Sequence, residues 1–366
     1  MAKQVRKLNV AMIGYGFMGR AHSNAFIQVG HFFDLPHDLK LKVMCGRKRS
    51  AVEAMASQWG WEEAQTDWQS VVTRKDIDVV DICAPNHLHA QIAIAAAEAG
   101  KIVLCEKPLA MNVVEAQAMA NAAHSVPNLV WFNYRRVPAI ALAKELIEQG
   151  KVGKPYHYRA TYLQSWGANP QSPDAWRFRK VEAGSGAMGD LLSHSLDLAL
   201  MLNGPISELT SLIHTFTPNR EVDDAVIALT RFANGSIGTF EATRFAIGCQ
   251  NRNYFEIHGE KGSIRFNLED LNRLEVFDRN DATEIQGGHQ VLVTGPGHPY
   301  TSHFWPPGHI IGYEHTFIAT LADFLNCFAK NEAFHPNFDD AVDVQKLLEA
   351  VETSAQKGTW TKVLGS

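Results

Sequence analysis

Among the ionisable side chains of this 366-residue chain, three stand where a fold would put them to use. Lys107 follows Glu106 and precedes Pro108 at the end of an apolar run, residues 102–106. Asp190 and His194 are four residues apart in a helix-forming stretch, so both project from one face, and Asp197 continues the stripe. Leu191, Leu198 and Leu202 fall on the opposite, apolar side. An imidazole is the side chain suited to exchanging a proton near neutral pH, and a carboxylate or an ammonium is the partner that orients it or balances charge. The plain alternative is a solvated lysine after a strand and a polar helix face.

A second kind of chemistry is signalled near the N-terminus. The segment Gly14, Tyr15, Gly16, Phe17, Met18, Gly19 lies between an apolar run, 8–13, and a helix-like stretch, 17–30. Glycines at this spacing allow a tight turn and a close approach of the backbone to a pyrophosphate at a helix N-terminus. The motif alone is weak evidence, but the strand before it and the helix after it are both legible. It is read as a dinucleotide site, against a glycine turn that only packs a helix on a sheet. At the end of the next apolar run, 41–45, a carboxylate would hydrogen-bond a ribose 2′-hydroxyl. Gly46, Arg47, Lys48 and Arg49 follow instead, three cations able to hold a 2′-phosphate. The expected cofactor is NAD or NADP, tilted slightly to NADP; the alternative for these cations is a solvated basic turn. Ala84, Pro85, Asn86 and His89, after the third run, and Glu106 and Lys107, after the fourth, belong to the C-terminal sheet edge where doubly wound folds bind ligands.

Positioning these groups takes two kinds of domain. The runs 8–13, 41–45, 78–84, 102–106 and 128–132 are apolar throughout and alternate with helical stretches, the pattern of a parallel sheet covered on both faces. After Gly150 the pattern changes to alternating stretches at 210–217, 225–232, 236–245, 254–259 and 263–268. Turn signals at Asn234-Gly235 and Lys261-Gly262 predict antiparallel hairpins there. Helices are expected over 186–202, 310–330 and 338–356. The fold class is therefore α/β: an N-terminal Rossmann domain with a doubly wound parallel sheet, residues 1–134, and a C-terminal α+β domain with a large, mainly antiparallel sheet, residues 135–366.

Composition narrows the function. With 34 basic against 39 acidic residues, no positive field collects nucleic acid or an anionic membrane. No apolar stretch reaches the ~20 residues that cross a bilayer. Five cysteines, an odd number with no CxxC pair, fit a reducing compartment, and the N-terminus carries no apolar secretory segment, so a cytoplasmic location is expected. His289, His298, His303, His309 and His315 do not have metal-site spacing. Their glycine- and proline-rich segment reads as a substrate-covering or subunit-contact loop, and no metal is expected.

Taken in order, GYGFMG, APNHLH after the third run, EKP after the fourth, and GSGAMGDLLSHSLDL opening a helix in a β-rich second domain resemble the glucose–fructose oxidoreductase / inositol dehydrogenase (Gfo/Idh/MocA) family. The resemblance spans essentially the whole chain. NHLHA, VLCEKPLA, FNYRR, TYLQSW, WRF and HPY…WPPGH…GYEH make it most similar to the branch that contains levoglucosan dehydrogenase. The resemblance implies that the EKP lysine and the DxxxH pair form the catalytic group, here Lys107, Asp190 and His194. His194 would take a hydroxyl proton, Lys107 would hydrogen-bond the same oxygen, and Asp190 would orient and balance the two. The implied activity is oxidation of a secondary hydroxyl, at carbon 3 by analogy with that branch, of a sugar, anhydrosugar or cyclitol, with nicotinamide as acceptor.

Two departures from the family pattern are visible: Ser185 where a third glycine is frequent, and Leu192 where a small residue is usual. The larger side chain would narrow a pocket and bears on substrate identity. The acidic residue that levoglucosan-type relatives carry near Gly46 is missing, so their cofactor preference does not transfer. Tyr134, Arg135, Tyr162, Trp176, Arg177 and Tyr313 are of the types that hold a polyhydroxylated substrate. Two readings from other classes compete: a redox-neutral glycoside-cleaving enzyme with tightly bound NAD, and a non-catalytic dinucleotide-responsive binding protein. An antiparallel sheet with one uncovered face, together with the resemblance, implies a homodimer or homotetramer.

Overall fold

Six strands of the N-terminal half pair in one sheet: β1 (Arg6–Ile13), β2 (His37–Cys45), β3 (Glu63–Gln65), β4 (Val79–Ile82), β5 (Ile102–Cys105) and β6 (Asn128–Val130). Their order is β3-β2-β1-β4-β5-β6, and every pairing is parallel. This is the doubly wound order, with its switch point between β1 and β4. The computed structural model from which these elements are taken describes residues 6–169 and 176–363. Leu8, Val10, Ala11 and Met12 of β1 are fully buried, as a central parallel strand requires. Around the sheet lie the helices α1 (Phe17–Phe32), α2 (Arg49–Trp59), α3 (Trp68–Val72), α4 (His89–Glu98) and α5 (Val113–Ala123). Asn112 caps α5 by accepting the Glu115 N–H at 2.9 Å, while Glu115 accepts the Met111 N–H at 3.1 Å. Three-residue β3, Glu-Ala-Gln, escaped the sequence reading because it is polar, short and without period.

The chain divides into two units: Met1–Asn133 with Tyr313–Asp343, and Tyr134–Gly312 with Val344–Ser366. Tyr313–Asp343, counted with residues 135–366 on sequence grounds, thus packs with the first unit. The helix Tyr313–Lys330 turns Phe317, Ile318, Leu321 and Phe324 into that core and runs against α1.

The second unit carries a nine-stranded sheet: β7 (Pro155–Leu163), β8 (Ile206–His214), β9 (Ala225–Phe232), β10 (Ile237–Thr243), β11 (Arg252–Gly259), β12 (Gly262–Asn267), β13 (Arg273–Asp278), β14 (His289–Leu292) and β15 (Thr361–Lys362), in the order β14-β13-β12-β11-β7-β10-β9-β8-β15. The hairpins expected at Asn234-Gly235 and Lys261-Gly262 join β9 to β10 and β11 to β12, both antiparallel. One pairing, β7 with β10, is parallel. The segment predicted as a helix over 186–202 is a π-helix from Met188 to Leu192 followed by an α-helix, Ser193–Asn203. Leu191, Leu198 and Leu202 are buried as expected, but so are His194 and Asp197. His194 and Asp197 are therefore internal, whereas Asp190 is half-buried, so this is not a fully solvated helix face.

Candidate active site

At the nucleotide end the backbone is built for close approach. Gly14 has φ +117°, and a Cβ there would stand 2.4 Å from the Cys83 carbonyl oxygen, so the loop after β1 lies directly on the loop after β4. A Cβ on Gly19 would meet the Gly14 carbonyl at 2.8 Å, whereas one on Gly16 would meet nothing within 4 Å among the described residues beyond its own chain neighbours. Gly16 is the N-cap of α1, with no side-chain cap and no acidic residue in the first turn. An uncapped 16-residue helix facing open space over a glycine turn fits a dinucleotide pyrophosphate. The Tyr15 ring occupies the place a Cβ on Gly46 would take, 2.1 Å away, which explains the glycine after β2. Arg47, Lys48 and Arg49 are exposed, but Arg49 donates to the Ala64 carbonyl at 3.0 Å and lies against Thr66, leaving Arg47 and Lys48 as the cations of the turn. Exposed Phe17 stacks on Tyr313 at 6.1 Å, placing this expected substrate residue beside the nucleotide turn. Met18, the remaining member of the turn, is half-buried.

Ala84, Pro85 and Asn86 form the loop after β4, and half-buried Lys107 follows β5. His89 and Glu106, expected at the cofactor, face inward. The His89 ring is fully buried, its nitrogens 2.9 Å from the Ala84 carbonyl and 3.1 Å from that of Pro108, and burial lowers its pKa. It therefore staples the two ligand-edge loops together. Glu106 accepts the Lys107 N–H at 3.1 Å through one oxygen and contacts His22 with the other. His22 was not singled out from sequence, since a lone histidine in an apolar helix carries no motif.

In the second unit, Asp223 assembles the entry to the DxxxH segment. Its carboxylate accepts the Gly186 N–H at 2.6 Å and the Met188 N–H at 2.7 Å. A Cβ on Gly186 would stand 1.8 Å from the Asp223 carbonyl oxygen, so only glycine fits. Burial raises the Asp223 pKa against these two N–H donors, which lower it. Asp190, in the π-turn, accepts a hydrogen bond from Arg244 at 2.8 Å, and Arg177 Nε stands 3.9 Å from the same oxygen. Arg244 is 1% exposed and stacks over Trp166 at 4.7 Å; its Nε and Nη1 have no hydrogen-bond partner among the described residues. It was missed from sequence because it sits 54 residues from Asp190 at the end of a strand.

His194 lies beside two rings, Tyr134 at 4.5 Å and Tyr162 at 5.9 Å. The Tyr134 and Tyr162 hydroxyls are 3.0 Å apart, and Tyr162 donates to Asn251 at 2.9 Å. Asn251 also accepts from Gln164, whose own amide oxygen accepts the Trp166 indole N–H. Arg177 stacks on Trp176 at 4.7 Å. Arg135 is different: its guanidinium is bidentate on buried Asp197, 2.6–3.0 Å, so it anchors the helix rather than standing open to a substrate. Leu192 is fully buried in the core.

A doubly wound sheet with an open glycine turn at its switch point is the architecture of a dinucleotide-binding domain. The chain belongs to the GFO/IDH/MocA family: residues 8–134 match its oxidoreductase domain with NAD-binding Rossmann fold, and residues 140–265 match the GFO/IDH/MocA C-terminal domain. It is thus an NAD-dependent dehydrogenase by family. It is 42% identical to a levoglucosan dehydrogenase of Pseudarthrobacter phenanthrenivorans over 98% of this chain and 99% of that one. A solved structure of levoglucosan dehydrogenase in complex with NADH and levoglucosan superposes with TM-score 0.96 at 44% identity, covering 98% of this chain and all of that one. An oxidoreductase domain protein from Kribbella flavida superposes with TM-score 0.95 at 46% identity, over 98% and 99% of the two chains. Among the described residues no helix is long and apolar enough to cross a membrane.

Proposed function

We propose that the enzyme oxidises a secondary hydroxyl, at carbon 3, of an anhydrosugar or a closely related sugar or cyclitol. Bound nicotinamide supplies the acceptor for the hydride that leaves the carbon. His194 removes the hydroxyl proton, Lys107 donates to the same oxygen and stabilises its developing negative charge, and Asp190 holds the charge balance. The Arg244 guanidinium fixes the Asp190 carboxylate, and the Tyr134, Tyr162, Asn251 and Gln164 chain supplies the alternating donors and acceptors that a polyol needs. The observation that carries the reading is this DxxxH segment: π-turned, its half-buried aspartate clamped by a buried arginine and its buried histidine lined by tyrosines, in a chain similar throughout to levoglucosan dehydrogenases.

Leu192 lies in the core, so its size bears on substrate choice through packing of the π-turn. NADP is used alongside NAD, since Arg47 and Lys48 are exposed after β2 and no carboxylate follows the strand. The copies associate through the uncovered sheet face, where Leu212 lies opposite Ile227 and Leu229 and Ile237 are about half exposed. A reducing, cytoplasmic setting is supported by the five cysteines, none of which is in a disulfide.

The test is reduced-cofactor formation over a panel of anhydrosugars, glycosides and cyclitols with wild type, Lys107→Ala and His194→Ala. Turnover at carbon 3 of an anhydrosugar, lowered by about 10²-fold or more in each variant, is expected. Full activity of both variants contradicts the assignment. Arg47→Ala with Lys48→Ala lowers kcat/KM for NADP about tenfold and leaves NAD unchanged, which two-cofactor kinetics reads directly.

A further inference from the structure

Beneath the nucleotide turn lies a cluster of ionisable groups that no step above uses. His22, on α1, is fully buried. Its Nδ1 is 2.8 Å from Asp81 Oδ2, on β4, and its Nε2 is 3.0 Å from Glu106 Oε1, just past β5. The Trp131 indole N–H donates to the other oxygen of Asp81 at 2.9 Å, and the other oxygen of Glu106 accepts the Lys107 N–H at 3.1 Å. The Trp131 and Phe317 rings close over the imidazole at 4.2 and 5.3 Å.

We propose that His22 is a positioning residue for Lys107: by bridging Asp81 and Glu106 it ties the Glu106-Lys107-Pro108 turn to the helix that starts at the nucleotide glycines. The inference rests on the role proposed above for Lys107.

Two buried carboxylates on either side of one ring repel each other unless a donor stands between them. The imidazole with both nitrogens protonated is that donor. Its second effect is mechanical. The strand ladder of β5 ends with the Glu106 N–H on the Ile82 carbonyl, so the peptide of Lys107 lies beyond it. Glu106 Oε2 takes over that N–H, and the orientation of the Glu106 carboxylate is set through Oε1 by His22. On the far side of the lysine, His89 holds the Pro108 carbonyl. Lys107 is thus bracketed by two buried histidines, one of which belongs to the helix on which the dinucleotide would rest.

The groups facing His22 are Asp81 and Cys83 from β4 and its end, Glu106 after β5, and the aromatic rings of Trp131 and Phe317. Burial disfavours the charged ring, but the two carboxylates outweigh it and hold the His22 pKa at about 9. Burial keeps the Cys83 thiol well above its ordinary value, so it stays neutral beside the ring. His22, Asp81 and Cys83 are also metal-ligating types with ligand atoms within 4.8 Å of one another, so a bound ion is the rival occupant that the test must meet.

The test is steady-state kinetics and NADH binding by fluorescence on the full chain. His22→Gln retains one donor and lowers kcat about tenfold; His22→Leu lowers it by about 10², with the NADH Kd within about threefold of wild type in both. Should His22→Leu fail to fold, His22→Gln carries the comparison. Wild-type kcat falls along an alkaline limb near pH 9 that His22→Gln lacks. In a Lys107→Ala background, adding His22→Gln lowers kcat no further.

The proposal is overturned by unchanged kcat in His22→Gln, by a loss seen only in cofactor affinity, by an identical alkaline limb in both proteins, by additive losses in the double variant, or by a stoichiometric metal that copurifies with wild type and is missing from His22→Gln. If Lys107→Ala is itself fully active, the role of Lys107 fails; if it is impaired and His22→Gln is normal, only the bridge fails.

Discussion

Breaking the Arg244–Asp190 pair has a cost that can be worked from its surroundings. Arg244 is 1% exposed, and the one hydrogen-bonded partner of its guanidinium among the described residues is Asp190, whose side chain is 25% exposed. In Arg244→Met the carboxylate loses that partner but keeps Arg177 Nε at 3.9 Å and some access to water, so the loss is about 2 kcal/mol rather than the 3–5 of a fully buried pair. Removing the guanidinium from the face of Trp166, at 4.7 Å, adds about 1 kcal/mol. Asp190→Asn leaves the buried cation on a neutral amide oxygen and costs about 2 kcal/mol. The double variant has neither a carboxylate deprived of the Arg244 guanidinium nor a buried guanidinium facing a neutral amide, so its loss falls short of the sum of the single losses by about 2 kcal/mol. Urea denaturation followed by tryptophan fluorescence measures all four proteins. For a domain in this size range the single variants melt roughly 5–10 °C lower. Losses that add to within ~0.5 kcal/mol would show that the two side chains are not energetically coupled and would refute the clamp.

Gly14→Ala forces a Cβ into the Cys83 carbonyl at 2.4 Å, in a backbone conformation with φ +117°; NADH affinity falls by at least about tenfold, measured by fluorescence titration. Asp223→Asn removes the charge that gathers the Gly186 and Met188 N–H groups; it lowers stability by about 1–2 kcal/mol by urea unfolding, and kcat falls more than KM rises. The folded-state pKa of His22, about 9, lies above its ordinary 6.5, so its protonation stabilises the fold fully below pH 6.5 and loses that effect as pH rises through 9. The difference corresponds to roughly 3 kcal/mol, which urea midpoints at pH 6.5 and 9.5 register in wild type and not in His22→Gln.

The parallel sheet was legible because five of its six strands carry apolar runs separated by helices, polar β3 being the exception. Runs 8–13 and 102–106 lie on β1 and β5 to within two residues at either end. Hairpin β9–β10 was equally plain from Asn234-Gly235 between alternating stretches. What sequence could not show is what depends on contacts between distant residues. The π-turn at Asp190 follows from Asp223, more than 30 residues later, reaching back to two N–H groups. Arg135 read as a substrate residue because its type can hold a polyhydroxylated substrate; its bidentate hold on Asp197 appears only in three dimensions. His22, Asp81 and Arg244 carry no local pattern at all, and they emerge as partners of motif residues only once the strands are paired.

The central claim, removal of a hydride from carbon 3 of an anhydrosugar with Lys107 and His194 acting on its oxygen, is tested most directly by following reduced cofactor from levoglucosan and from levoglucosan deuterated at carbon 3. The account predicts one reduced cofactor per oxidised sugar, a slower rate with deuterium, and a rate at least about 10²-fold lower in Lys107→Ala. A rate indifferent to deuterium at carbon 3, or sugar cleaved with no net cofactor reduction, would contradict it.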